Sequence, residues 1–118
     1  MVIVIRRAED MVKEVREKMR GGEGTVELLH IFRKDELKGR ARLFAKITLQ
    51  PGCSIGFHNH DDEEELFYIL RGTGTVNDDG KEAVVRTGDA ILTGDGAGHE
   101  IANTGDEPLE IMATILLY

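Results

Sequence analysis

Tryptophan is absent from this chain of 118 residues, cysteine occurs once and proline twice. A single thiol, Cys53, excludes an intramolecular disulfide, and no CxxC pair is present to build a thiolate zinc knuckle. No basic residue adjoins Cys53, so it reads as a small semi-buried filler, and a lone thiol suits a reducing compartment. Aromatic residues make up only 5%, which leaves few flat anchors for stacking a sugar or a base. Long apolar runs are missing too. Val2–Ile5 meets Arg6 and Arg7 at once, too soon for a signal peptide or a membrane span. Positive charge is in deficit, 15 Lys and Arg against 22 Asp and Glu, and the net charge of −7 argues against binding a polyanion such as nucleic acid. These absences lead to the expectation of one cytoplasmic domain over residues 1–118, built on an apolar core, with neither a membrane nor a nucleic-acid partner.

What the chain has instead is glycine, 14 residues of it, dividing the sequence into short segments in the manner of an antiparallel all-β domain. Thr25–Phe32 and Arg40–Leu49 read as strands. The second carries Leu43, Ala45, Ile47 and Leu49 on one face and Arg42, Phe44, Lys46 and Thr48 on the other. After the Pro51-Gly52 turn come Ile55–His60, Glu65–Arg71, Gly74–Asn77, Glu82–Thr87, Ala90–Thr93, His99–Asn103 and Leu109–Leu117. About nine short strands suit a barrel or a sandwich. The exception is Ala8–Met19, where Ala8, Met11, Val12, Val15 and Met19 recur at helical spacing before Gly21-Gly22. This spacing predicts one short helix capping the barrel, so that residues 1–24 form an N-terminal strand and helix and residues 25–118 the barrel.

Two of the strands have no polar face. Leu66, Tyr68 and Leu70 alternate with Glu65, Phe67 and Ile69, and Leu109–Leu117 is apolar on one side with Met112 and Leu116 on the other. An apolar outer wall needs a cover, and the expectation is a homodimer in which Val2–Ile5 adds to the partner's sheet.

The chemistry of the chain is concentrated in four residues. His58 and His60 share one face of an extended segment, about 6.6–6.8 Å apart along the strand, and two such imidazoles can chelate one ion. Glu65 further on, with His99 returning on another strand, completes a three-nitrogen, one-oxygen set for a divalent transition metal. His30 has no matching neighbour and reads as an ordinary surface or core histidine. The run Asp61–Glu65 is mostly a solvated acidic loop. Within it Glu65, rather than Glu64, shares the inward parity of Phe67 and Ile69. Arg42 and Lys46 lie on the outer face by alternation; turned inward, either would neutralise a substrate carboxylate.

The spacing Gly52-x5-His58-x-His60-x4-Glu65-x6-Gly72 resembles the first sequence motif of the cupin superfamily, and Gly88-x5-Gly94-x-Gly96-x2-His99-x3-Asn103 resembles the second, with the 15 residues Thr73 to Thr87 between them. One position departs: the family pattern has proline where this chain has Gly94, which would loosen the loop leading to His99. The resemblance implies a double-stranded β-helix, or jelly-roll barrel, with His58, His60, Glu65 and His99 as ligands of one divalent metal. Manganese and iron suit this mixed donor set, and nickel, cobalt, copper and zinc are compatible with it. Three neutral imidazoles and one carboxylate leave the ion with net positive charge, which favours an anionic small-molecule substrate or ligand.

Proteins of this family include oxygenases, decarboxylases, isomerases and plain binding modules. The leading expectation is a metal-dependent enzyme acting on a small carboxylate or oxygenated metabolite, oxalate-decarboxylase-like or dioxygenase-like. Its catalytic residues are not identified; Glu64, Tyr68 and Lys46 are candidates for the proton donor. The alternative is a non-catalytic cupin that binds or senses a sugar or another small ligand. A sugar-phosphate isomerase is disfavoured because no placed basic cluster for phosphate stands out.

Overall fold

Alternation of apolar and polar side chains is realised as strand after strand in the computed structural model, which describes residues 3–78 and 80–118. The strands are β1 (Val12–Glu17), β2 (Thr25–His30), β3 (Ala41–Leu49), β4 (Ser54–Asn59), β5 (Glu63–Arg71), β6 (Thr73–Asp78), β7 (Lys81–Arg86), β8 (Ala90–Thr93), β9 (Gly98–Asn103) and β10 (Leu109–Leu117). They form two sheets, a 6-stranded one in the order β1-β2-β3-β10-β5-β8 and a 4-stranded one in the order β4-β9-β6-β7. Every pairing is antiparallel. This is the jelly-roll arrangement expected from the strand pattern and the motif resemblance.

The core lies between the sheets. Ile47 on β3 stands opposite Ile111 on β10, which in turn stands opposite Ile69 on β5, and Leu28 on β2 meets Ile47 from the other side. Val26, Leu49, Leu109 and Ala113 extend this layer, and Ile55, Val76, Val85 and Ile101 close it from the smaller sheet. Each fully buried Leu or Ile contributes about 1.5–3 kcal/mol, which is how a chain without disulfides holds two sheets together.

Residues 8–19 correct the expectation of a helix. Ala8–Asp10 is a single 3₁₀ turn, Val12–Glu17 is the edge strand β1, and Met19–Gly21 is a second 3₁₀ turn. A helix of this length is marginal by itself. As a strand the segment pairs with β2 from Val12↔His30 to Glu17↔Thr25 and covers backbone groups that would otherwise face solvent. The charged residues that looked like a polar helix face reach across the sheet instead: Lys13 pairs with Glu27 at 3.4 Å and Glu14 with His30 at 2.8 Å. Of the expected N-terminal strand, Val2 lies outside the described residues, and Ile3–Ile5 run exposed beside the barrel without joining either sheet.

Three irregularities aim side chains at the interior. On β4, Ile55 pairs with Ile101 and His58 with His99, so β4 holds one residue more than β9 over this stretch. That bulge shifts the inward parity from Ile55 to His58 and His60. On β3, Leu43 pairs with Ile115 and Ala41 with Leu116, leaving Arg42 as the extra residue. Finally, the turn between β1 and β2 folds over β4, with Ser54 N–H donating to the Glu23 carbonyl at 2.9 Å and Glu23 N–H to Ser54 Oγ at 2.8 Å. Its approach is so close that a Cβ on Gly56 would collide with the Arg20 carbonyl. Lys18 and Arg20 sit in left-handed backbone conformations, φ 48° and 56°, to make that turn.

Candidate metal centre

His58 comes from the bulged part of β4, His60 from the residue just past its end, Glu65 from β5 and His99 from β9. His58 and His99 face each other directly in the strand register. The segment before β9 is latched to His60 by backbone bonds: His60 N–H donates to the Ala97 carbonyl at 3.0 Å and Gly96 N–H to the His60 carbonyl at 2.9 Å. The structure therefore brings together all four residues singled out in the sequence, with one donor atom from each within 4.8 Å of the others.

His99 Nε2 lies 3.1 Å from His60 Nε2, 3.2 Å from His58 Nε2 and 3.1 Å from Glu65 Oε1, and His60 Nε2 lies 3.0 Å from Glu65 Oε1. Donors about 2.1 Å from a common ion and 90° apart are separated by about 3.0 Å, whereas tetrahedral donors are separated by about 3.4 Å. His58 Nε2 and Glu65 Oε1 lie 4.0 Å apart. One divalent ion would be held by His58, His60, Glu65 and His99 at ordinary metal–nitrogen and metal–oxygen distances.

The far side of each ring decides what Nε2 can do. His58 Nδ1 lies 2.9 Å from the Gly56 carbonyl, and His60 Nδ1 lies 2.8 Å from Glu63 Oε1. The Gly56 carbonyl only accepts, so a neutral His58 carries its proton on Nδ1 and presents a lone pair at Nε2. His60 lies between two carboxylates, with Glu65 Oε1 3.0 Å from Nε2, and with an ion at Nε2 its proton belongs on Nδ1 against Glu63. His99 Nδ1 lies 3.0 Å from the buried Thr93 hydroxyl, which can serve either tautomer. With all three rings protonated on Nδ1, lone pairs and a carboxylate oxygen face one another at about 3 Å in a buried site, an arrangement that calls for a cation between them.

A proton can be that cation. The Glu65 hydrogen bond, followed by that to Glu63, raises the His60 pKa against the opposing effect of burial. Burial lowers the pKa of His58. For Glu65 burial acts upward, but the hydrogen bonds from His60 and His99 outweigh it and its pKa falls below the ordinary value. Glu63 is held down to about 2, first by the Arg42 guanidinium and then by His60.

A cavity of about 60 Å³ opens beside the donors and is lined by Arg16, Arg20 and Arg42 together with His58, His60 and Glu65. It has room for a ligand of only a few heavy atoms. Arg42 is there because of its bulge: Nε donates to Glu63 Oε2 at 2.6 Å and Nη2 to Oε1 at 2.7 Å. Arg16 is paired with Glu14 at 2.8 Å. Three arginines thus line the cavity, two of them already paired with carboxylates, a convergence that the linear sequence did not display.

The other candidates lie elsewhere. Lys46 pairs with Glu110 on the outer face at 3.1 Å, Tyr68 projects outward from β5, and Glu64 flanks a separate depression with Leu92, Asp95 and Tyr118. His30 is engaged with Glu14, and Cys53 packs against the core. At Gly94 a Cβ would lie 2.9 Å from the Glu64 Cβ, so the departure from proline reflects close packing of this loop on β5. Sequence reasoning missed Glu63, Thr93, Arg16 and Arg20. Glu63 carried a usable signal, since it sits two residues before Glu65 and shares its face.

The chain matches the family model described as Cupin domain over residues 45–115. It is 41% identical over 114 residues to a Thermotoga maritima protein named Oxalate-binding protein, covering 97% of this chain and 94% of that one. A crystal structure of a predicted oxalate decarboxylase from Thermotoga maritima matches with a TM-score of 0.92 at 41% identity, covering 98% of this chain and 100% of the other. An uncharacterized protein of Methanocaldococcus jannaschii is 34% identical over 86 residues, 73% of this chain and 66% of its own length. A family model spanning both motif regions and a relative aligned along almost the whole chain agree with the two-sheet barrel and its histidine cluster: the chain belongs to the cupin family.

Proposed function

We propose that this protein binds one divalent transition metal through His58, His60, Glu65 and His99, and through it a small dicarboxylate of the oxalate type. The observation that carries the reading is the convergence of buried donors beside a small cavity lined by three arginines. A divalent ion would supply Lewis acidity to polarise a carboxylate oxygen. Arg20, whose backbone is held in place against β4, would meet the ligand's other carboxylate, and the cavity's size would reject larger acids. The named relative that binds oxalate supports this choice of anion. Manganese or iron is the first assignment, with nickel, cobalt, copper and zinc as the alternatives to test. Residues 1–118 act as one cytoplasmic domain in this proposal, in keeping with the unpaired Cys53.

Turnover of the bound carboxylate, decarboxylase-like or dioxygenase-like, is the second reading. The neighbouring structure described as a predicted oxalate decarboxylase favours it. Against it, Glu64, Tyr68 and Lys46 all stand away from the cavity and offer no proton to a ligand there. The test is elemental analysis of untagged protein, then calorimetric titration of the metal-loaded form with oxalate, malonate and a neutral sugar, and finally analysis of the oxalate for formate and carbon dioxide. Saturable oxalate binding that leaves the acid intact supports the binding module. Product formation supports the enzyme, and absence of both metal and oxalate binding removes the proposal.

A homodimer completes it. Leu66, Tyr68, Leu92, Met112 and Thr114 frame an apolar groove on the outer face of the large sheet, and a second copy of the chain is the occupant proposed, with Ile3–Ile5 contributing to the cover.

A further inference from the structure

We propose that Glu63 is a positioning residue of the metal centre, fixing the tautomer of His60, and that Arg42 is the clamp that keeps Glu63 in that role. The inference rests on the metal-binding reading above. Its basis is a continuous chain of charge-assisted bonds: Arg42 grips both oxygens of Glu63, at 2.6 and 2.7 Å, and one of those oxygens lies 2.8 Å from His60 Nδ1. Glu63 is largely buried and both its oxygens accept from the Arg42 guanidinium, which holds it as a carboxylate, so it accepts hydrogen bonds and does not donate them. A proton on His60 Nδ1 thereby has a fixed acceptor, and Nε2, 3.0 Å from Glu65 Oε1 and 3.1 Å from His99 Nε2, is left to take the ion.

The clamp arises from two separate accidents of chain geometry. Glu63 faces inward by the alternation of β5, and Arg42 reaches it only because the bulge on β3 departs from alternation. His58 obtains the same tautomer from the Gly56 carbonyl, a backbone group that no side-chain substitution removes. His60 is thus the ligand whose Nδ1 rests on a replaceable carboxylate, whereas the Thr93 hydroxyl beside His99 serves either tautomer.

Glu63→Leu tests the idea because it removes both the acceptor that His60 Nδ1 uses and the group that Arg42 holds. An amide would be a poorer test, since the oxygen facing His60 also accepts from Arg42 Nη2 and would stay in place. Metal affinity, measured by calorimetric titration with manganese and with zinc, should fall about 10–100-fold, as when other ligand histidines lose their carboxylate. Arg42→Met should weaken binding in the wild type but cost less than about threefold in the Glu63→Leu background, where nothing is left to clamp. An equal penalty for Arg42→Met in both backgrounds overturns the proposal. ¹⁵N shifts of the His60 ring in metal-free protein, followed to pH values above the ring's own titration, read the tautomer directly. A larger share of protonated Nδ1 in the wild type than in Glu63→Leu is expected, because Glu65 draws the proton to Nε2 once Glu63 is gone. The same share in both overturns the inference whether or not metal binds, whereas failure of the wild type to bind metal with the expected tautomers overturns only the metal reading.

Discussion

The two faces of β5 belong to the same nine residues and have opposite fates. Facing in, Glu63 and Glu65 are tied to Arg42, His60 and His99, and Phe67 and Ile69 are buried in the core. Among the described residues no buried side-chain nitrogen or oxygen lacks a partner. Facing out, Leu66, Tyr68 and Leu70 are 39%, 49% and 39% exposed beside an apolar groove. The inner face is satisfied within the chain; the outer face has apolar surface to spare. A strand that alternates chemistry with hydrophobicity so completely serves a site on one side and calls for a second surface on the other.

The contrast breaks most sharply at its chemistry. His99→Ala removes the imidazole whose Nε2 lies within 3.2 Å of donors from all three other residues. Metal affinity should fall by more than the roughly 10–100-fold typical of outer-shell changes. Elemental analysis after dialysis against chelator reads this, and full occupancy in the variant would remove His99 from the ligand set.

Packing gives the next contrast. Ile69→Ala should lower unfolding free energy by about 2–5 kcal/mol, because it leaves a cavity between the sheets. Leu70→Ala, one residue on but facing out, should cost under about 1 kcal/mol. Urea unfolding at equal slope compares the two, and equal losses would mean that the outer face is buried as firmly as the core. Leu66→Glu combined with Tyr68→Glu should convert the proposed dimer to a monomer in light scattering at micromolar concentration, with metal content unchanged. An unaltered mass would sink the assignment of this face to a second copy.

The smallest effect is the dependence on pH. A raised pKa at His60 means that its proton stabilises the metal-free fold fully below the unfolded value of about 6.5, and that this contribution is lost as pH rises through the folded value. The same proton must leave before Nε2 holds an ion. The rise in melting temperature on adding metal should therefore grow from about pH 5 to about pH 8. Thermal scans with and without manganese read it, and a constant increment would count against imidazole ligation.

Nine strands and the four clustered residues were legible because alternation, glycine punctuation and ligand spacing are local signals. The fate of residues 12–17 was not. Met11, Val12, Val15 and Met19 satisfy a helical period, and only the distant edge of β2 makes the segment a strand. Arg42 was placed outside by a rule that a bulge suspends, and Arg16 and Arg20 reach the cavity through a turn whose path no periodicity encodes. Glu63 was hidden differently: its parity was readable, but four acidic neighbours made it look like solvated charge.

The bulge on β4 turns the motif into a matter of counting. Because three steps along β4 answer two along β9, the face that begins at Ile55 continues at His58 and His60 and not at Phe57 and Asn59. Pair the full-length segment as a regular strand, without the bulge, and the same two histidines, in the same spacing, point to solvent while Phe57 and Asn59 enter the barrel. Within such a scaffold a metal site is created or abolished by a shift of register as readily as by a change of ligand. The His-x-His signature therefore has a reading frame, and that frame is kept by the glycine at position 56 and the turn that leans on it.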